Sequence, residues 1–176
     1  MIWLVQGEQS YLFDQEGNEI DQGVGDLSTV VSEARTWQDV EERTWLGVCL
    51  PQKNAVFFNK VSPVSLRINF GWPTKGYTRL GTGAGQARGE FIFPLSFDVG
   101  PAGRIYVLDA GNARIQIFDA AGTYITHWGR KGSGAGEFDF GSGGLPEDFA
   151  GSVAVDDEGF IYVADMENRR IQKFEP

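Results

Sequence analysis

Short apolar runs rich in β-branched and aromatic residues recur along this chain, each broken by glycine, aspartate or asparagine. Examples are Ile105-Tyr106-Val107, Ile115-Gln116-Ile117-Phe118, Tyr124-Ile125-Thr126, and Ile161-Tyr162-Val163. Such runs, bounded by turn formers and without a 3.6-residue period, predict antiparallel strands joined by tight turns. Two segments are the same unit written twice: IYVLDAGNARIQIF (105–118) and IYVADMENRRIQKF (161–174) agree at nine of fourteen positions, 56 residues apart. A repeated unit of this kind cannot bury its apolar face alone, so the fold must come from stacking neighbours.

Each clear copy has one grammar. An apolar run (Pro94-Leu95-Ser96-Phe97-Asp98, later Ser152-Val153-Ala154-Val155-Asp156) leads through a glycine turn into the Ile-Tyr-Val strand. A polar turn and the Arg-Ile-Gln strand follow; in the first copy Asp119-Ala120-Ala121-Gly122 then opens a fourth strand, Tyr124 to Trp128. Four short strands repeated every roughly 40 to 50 residues make the blade of a β-propeller.

The pattern resembles the NHL repeat family of propellers. The resemblance rests on Gly89-Glu90-Phe91 followed by Pro94, on Ile105-Tyr106-Val107 with Asp109, Asn112, Arg114, Ile115 and Phe118, and on Gly136-Glu137-Phe138 followed by Ile161-Tyr162-Val163, Asp165, Asn168, Arg170, Ile171 and Phe174. It covers roughly half the chain. It implies an all-β propeller and, since NHL relatives mostly hold other macromolecules on their faces, a protein-binding module.

Weaker copies lie upstream. The runs at 46–49, 54–58, 66–70 and 77–80 keep the strand order, and YLFDQEGNEI (11–20) aligns with QIFDAAGTYI (116–125). The expected architecture is one domain, 1–176, of about four blades near 1–22, 45–80, 91–128 and 145–176, in a small or partial ring. The first blade lacks its innermost strand and the last its outermost. The segment 23–44 interrupts the pattern: Asp26 or Ser28 as cap and Val30, Ala34, Trp37 and Val40 at helical spacing predict a short helical insertion.

Composition narrows the function classes. The chain has 176 residues, 41% of them hydrophobic, which suffices for a sizeable core. A formal charge of −9 speaks against nucleic acid and anionic membrane surfaces, both of which demand an excess of Lys and Arg. Cys49 is the only cysteine, so neither an internal disulfide nor a thiolate cluster is available, and its apolar neighbours predict a buried site. The N-terminal apolar run has no basic residues before it and is too short for a signal peptide or a membrane span, which points to a cytoplasmic chain.

Candidate chemistry is sparse. Asp109, Asn112 and Arg114, repeated as Asp165, Asn168 and Arg170, read as a structural signature: Asp and Asn shape the turn and Arg reaches an oxygen of a neighbouring blade. The glycine-rich runs at 81–85 and 129–136 lack the helix and the Lys-Ser/Thr spacing of a phosphate loop, and read as connections between blades. With one histidine, His127, a multi-histidine zinc site is impossible, and Asp156-Asp157-Glu158-Gly159 lacks the alternating ligands of a calcium loop. No catalytic residue, metal or cofactor is expected.

Of the five tryptophans, Trp45 and Trp128 fall on repeat strands and read as packing, whereas Trp37 and Trp72 lie in segments peculiar to this chain. Those two, with the cations Arg130 and Lys131, are the candidate partner contacts. The reading is a non-catalytic protein-binding or scaffold module, an accessory subunit or a homo-oligomer, because unfinished blades leave strand edges that invite pairing. The alternative is a metal-assisted lactonase- or lyase-like propeller with carboxylate ligands in its channel.

Overall fold

The computed structural model describes residues 2–6, 9–13, 19–24, 33–38, 41–51, 54–61 and 78–176. Among them every regular element except short 3-10 turns is a β-strand. Strands β1 (Ile2–Gln6), β2 (Gln9–Phe13) and β3 (Glu19–Val24) form an antiparallel three-stranded sheet. A four-stranded sheet follows in the order β4 (Glu33–Gln38), β5 (Thr44–Leu50), β6 (Ala55–Val61), β7 (Thr78–Leu80). Two residues each from β8 (Gly83–Ala84) and β9 (Glu90–Phe91) pair in parallel within the next connection.

The repeat supplies the remaining two sheets. β10 (Pro94–Val99), β11 (Ile105–Asp109), β12 (Arg114–Phe118) and β13 (Tyr124–Trp128) form a four-stranded meander, and β14 (Gly151–Val155), β15 (Ile161–Asp165) and β16 (Arg170–Phe174) a three-stranded one. Alternation along each strand sends one set of side chains to each sheet face. Ile105, Val107, Phe97 and Phe118 turn to a core shared with Cys49, Val56 and Leu80 of the preceding sheet. Tyr106, Leu108 and Ile115 turn the other way, to a core shared with Val153, Ile161 and Val163 of the following sheet. The first strand of the repeat, β10, packs against β4 and β5 on one side and β14 on the other. Two polar side chains pin the second contact: Ser96 Oγ accepts from the Val153 amide at 3.1 Å and Asp98 Oδ2 from the Val155 amide at 2.8 Å.

Over residues 33–38 the predicted helix is corrected; its cap candidates Asp26 and Ser28, with Val30 and Val40, lie outside the described residues. Residues 33–38 form strand β4, paired with β5 so that Trp37 stands opposite Trp45. Ala34 and Trp37 are as compatible with a pleated strand as with a helical stripe, and the ladder with β5 along the whole of β4 decides for the sheet. The second sheet thus begins at Glu33, inside the segment read as an insertion, and β3 continues to Val24. The expected strand at 66–70, like Trp72, falls outside the described residues. Among the described residues no helix is long and apolar enough to cross a membrane.

Candidate functional site

The Asp-x-x-Asn-x-Arg signature closes a polar stitch between each hairpin and the loop that enters its sheet. In the first copy Arg114 Nε donates to Asp109 Oδ2 at 2.8 Å, while the rest of its guanidinium donates to the carbonyls of Gln86, Ala87 and Glu90 at 2.8, 2.9 and 2.8 Å. Asp109 Oδ1 accepts from the Ile92 amide at 2.8 Å, and Asn112 Nδ2 donates to the Gly85 carbonyl at 2.9 Å. The turn places Asn112 by running through a 3-10 segment, Ala110–Asn112, into left-handed Ala113 at φ 50°. Asp109 therefore reaches beyond its own turn and fixes the connection between sheets.

The second copy repeats the stitch bond for bond. Arg170 binds Asp165 and the carbonyls of Ser133, Gly134 and Glu137, Asn168 binds the Gly132 carbonyl, and Asp165 Oδ1 accepts from the Asp139 amide. A further member escaped the sequence reading. Gln116, fully buried, donates Nε2 to the Glu90 carbonyl at 2.6 Å and to Asp109 Oδ2 at 3.0 Å, and accepts from the Gly89 amide at 3.0 Å. Gln172 does the same with Glu137, Asp165 and Gly136. Its signal was present in the Arg-Ile-Gln written in both copies.

Electrostatics follow from this burial. Desolvation pushes the Asp109 carboxyl above its ordinary value, opposed by the hydrogen bonds from Asn112, Ile92 and Arg114. His127, bonded through Nδ1 to the Tyr124 hydroxyl at 2.6 Å, is held below its ordinary value by desolvation and then by the charges of Arg114 and Arg88.

A pocket of about 530 Å³ opens between the turn at 110–114 and the loops at 129–131 and 141–143, with Phe149 at one wall. Its rim carries the predicted contact residues Arg130 and Lys131. Both are engaged: Arg130 binds Glu137 Oε1 through Nε and Nη2 at 2.9 and 2.7 Å, and Lys131 binds Asp139 Oδ1 at 2.7 Å and the Gly141 carbonyl at 2.6 Å. The Arg130 bonds help hold the Glu137 carboxyl low, after a larger contribution from the Gly134 amide, and Lys131 is the main cause of the low Asp139 carboxyl. Each cation on this rim is already matched by a carboxylate, so the loop is not a free basic patch. Trp37 lies on β4, whereas Arg130 and Lys131 lie in the loop that follows β13. Among the described residues no group of three or more His, Cys, Asp or Glu is placed to hold a metal ion.

The surface that differs most between the two copies is a sheet face. Ser96, Asp98, Tyr106, Leu108, Ile115 and Ile117 share the face of the third sheet that meets β14–β16, as their cross-strand pairing requires. The same register on the last sheet brings together Ser152, Ala154, Tyr162, Ala164, Ile171 and Lys173. Ile115 is 0% exposed beneath its neighbours; its counterpart Ile171 is 72% exposed. Within the described residues β16 also has no strand on its outer side, where β12 has β13. Lys173 Nζ lies on this face 3.7 Å from the centroid of the Phe160 ring.

Comparisons with known proteins bear on the fold. A family model, DUF5128, described as a 6-bladed beta-propeller, matches residues 95–174. No curated protein matches the chain. Among solved structures, a streptogramin B lyase aligns at a TM-score of 0.50 and 14% identity, over 99% of this chain and 50% of the other. A virginiamycin B lyase from Staphylococcus aureus aligns at 0.47 and 11% identity over 99% and 51%, and a protein of unknown function from Bacteroides caccae at 0.47 and 13% over 96% and 54%. The chain thus spans about half the length of these structures. The matching family has six blades, so the expectation of about four gains no support from it. What the sheets and the comparisons together establish is an all-β, propeller-like fold.

Proposed function

We propose that this chain is a non-catalytic protein-binding module of NHL-like blades, serving a larger assembly or its own oligomer, and that the open face of β14–β16 is the surface that docks. One observation carries the reading: the same isoleucine of the same repeat is 0% exposed at position 115 and 72% exposed at position 171. An apolar side chain on a sheet face that is covered in one copy and bare in the next supports a docking surface there. The pattern also supports a partner that comes and goes. Leu108 and Ile117 of the covered face are replaced by Ala164 and Lys173 on the open one, a shift toward the mixed polarity of non-obligate interfaces.

A photo-reactive phenylalanine analogue placed at position 171 in the full chain, in cells that make it naturally, tests this. Position 125 is the control, since Ile125 is 48% exposed but lies on β13, away from this face. A discrete adduct from 171 and none from 125 is the expected outcome. No adduct from 171, or equal labelling from both sites, refutes the reading.

A further inference from the structure

We infer that the pocket between the third and fourth sheets is a binding site for a small organic monocarboxylate with a flat apolar body. The site shares no residue with the face of β14–β16 and does not depend on the docking role proposed for that face.

The pocket arises where the two copies of the repeat differ in length. Gly-Glu-Phe recurs 47 residues apart, at 89 and 136, but Ile-Tyr-Val recurs 56 residues apart, at 105 and 161. Nine extra residues therefore lie between Phe140 and β14, whereas Phe93 runs directly into β10. This insertion is held at several points. Its two ends bridge at Gly141 and Phe149, the Ala150 amide donates to the Phe140 carbonyl at 2.7 Å, and the Leu145 amide donates to Asp148 Oδ2 at 3.0 Å. The Phe149 ring packs on Phe93 with centroids 5.4 Å apart. Beside Phe149 the lining is of small residues, Ala110, Gly111, Ala113 and Gly129, which leave room for a flat group. Gly129, at φ 103°, sits where a Cβ would meet the Phe138 ring at 2.5 Å and the Ala113 carbonyl oxygen at 3.0 Å, so the loop closes tightly on the turn. A volume of about 530 Å³ falls within the usual range of small-ligand sites.

The charge of the ligand follows from which groups line the cavity. Every charged side chain lining it is a cation, in a chain of net charge −9. Arg114 is committed to Asp109 and three carbonyls, which leaves Arg130 and Lys131. Arg130 gives Nε and Nη2 to one oxygen, Glu137 Oε1; its Nη1 has no hydrogen bond among the described residues, and its side chain is 81% exposed. Lys131 makes two bonds, to Asp139 and the Gly141 carbonyl, so one ammonium proton remains, on a side chain 54% exposed. Glu137 and Asp139 hold these cations in place without lining the pocket, and Glu147 and Asp148 of the insertion do not line it either. Unused donors on side chains that are already positioned bind an acceptor at low ordering cost, and a carboxylate, an acceptor alone, makes the strong charge-assisted bonds. Because each cation already shares a carboxylate of its own, the remaining field suits one negative charge and not the two of a phosphate.

Heteronuclear NMR on the full chain tests the site, by titration with hydrocinnamate up to about 10 mM, the range that weak, fragment-sized ligands require. The amides of Gly129, Arg130, Lys131, Gly141, Ser142 and Gly143 are expected to shift and saturate. Hydrocinnamyl alcohol, which has the same ring and chain without the charge, should bind at least about tenfold more weakly. Arg130→Gln and Lys131→Gln should each weaken the acid at least about fivefold. Arg104→Gln, at the far end of β11, should leave binding unchanged, and unchanged shifts outside the pocket show that each variant folds. The inference is overturned if the pocket amides show no saturable shift, or if the alcohol binds as well as the acid. It is equally overturned if both pocket variants bind like wild type, if Arg104→Gln weakens binding as much as they do, or if inorganic phosphate binds there more tightly than hydrocinnamate.

Discussion

Replacing Arg114 and Arg170 with alanine, one at a time, measures what the stitch is worth when it is covered and when it is not. The two guanidiniums make the same bonds, one to a carboxylate and three to carbonyls, at 2.7–2.9 Å. They differ in surroundings: the Arg114 side chain is 8% exposed and that of Arg170 31%, while both carboxylate partners are 0% exposed. Arg114→Ala leaves the buried Asp109 without its cation and the part-buried carbonyls of Gln86 and Ala87 without this donor, while the Glu90 carbonyl keeps Gln116. Removing one member of a buried pair costs about 3–5 kcal/mol. At position 170 water can take over part of the lost bonding, and the cost should fall to about 1–3 kcal/mol, the range of hydrogen bonds to charged groups. Urea unfolding gives both numbers from the shift in midpoint at constant slope. Hydrogen exchange adds a local readout, because the Ile92 amide, which donates to Asp109, should lose protection in Arg114→Ala and keep it in Arg170→Ala. Equal costs at the two sites, or a loss below about 1 kcal/mol at 114, would refute the reasoning that burial sets the value of the stitch.

Other expectations are simpler. Gln116→Leu keeps the volume but strips the Gly89 amide and Asp109 of a partner, and should destabilise by about 1–3 kcal/mol by urea unfolding; a neutral result would mean that the glutamine is a spectator. Gly81 has φ 75°, and a Cβ there would meet the Gly89 carbonyl oxygen, so Gly81→Ala should lower the melting temperature by several degrees, about 2–4 °C for each kcal/mol in a chain of this size. His127 is the only histidine, and its depressed pKa means that the unfolded chain takes up the proton first. Stability should therefore be full above about pH 6.5 and decline as pH falls below it, and His127→Gln should flatten that slope. The ring should titrate below the ordinary value by NMR; a value at or above it defeats the prediction.

The sequence announces the stitch because it is written twice: Asp109, Asn112 and Arg114 return at 165, 168 and 170 with the same spacing. It does not announce the acceptors. The carbonyls of Gln86, Ala87 and Glu90 belong to the backbone, and a backbone oxygen leaves no mark in a residue pattern. Gln116 was overlooked for a related reason, since a polar residue in an alternating strand is ordinarily read as facing water. The helical reading fails at 33–38 because Ala34 and Trp37 suit both periodicities over so short a span, and only the pairing of β4 with β5 chooses between them. The open face is legible only by comparing the copies, where Leu108 against Ala164 and Ile117 against Lys173 show one apolar side and one mixed side.

The loops gripped by the two arginines share few side chains: Gln86 and Ala87 in one stand where Ser133 and Gly134 stand in the other, yet the bonds are the same. Recognition that reads only main-chain oxygens places no demand on what those positions project outward. Those short stretches are consequently free to drift under selection, or to accept grafted recognition sequences, without loosening the joint they belong to.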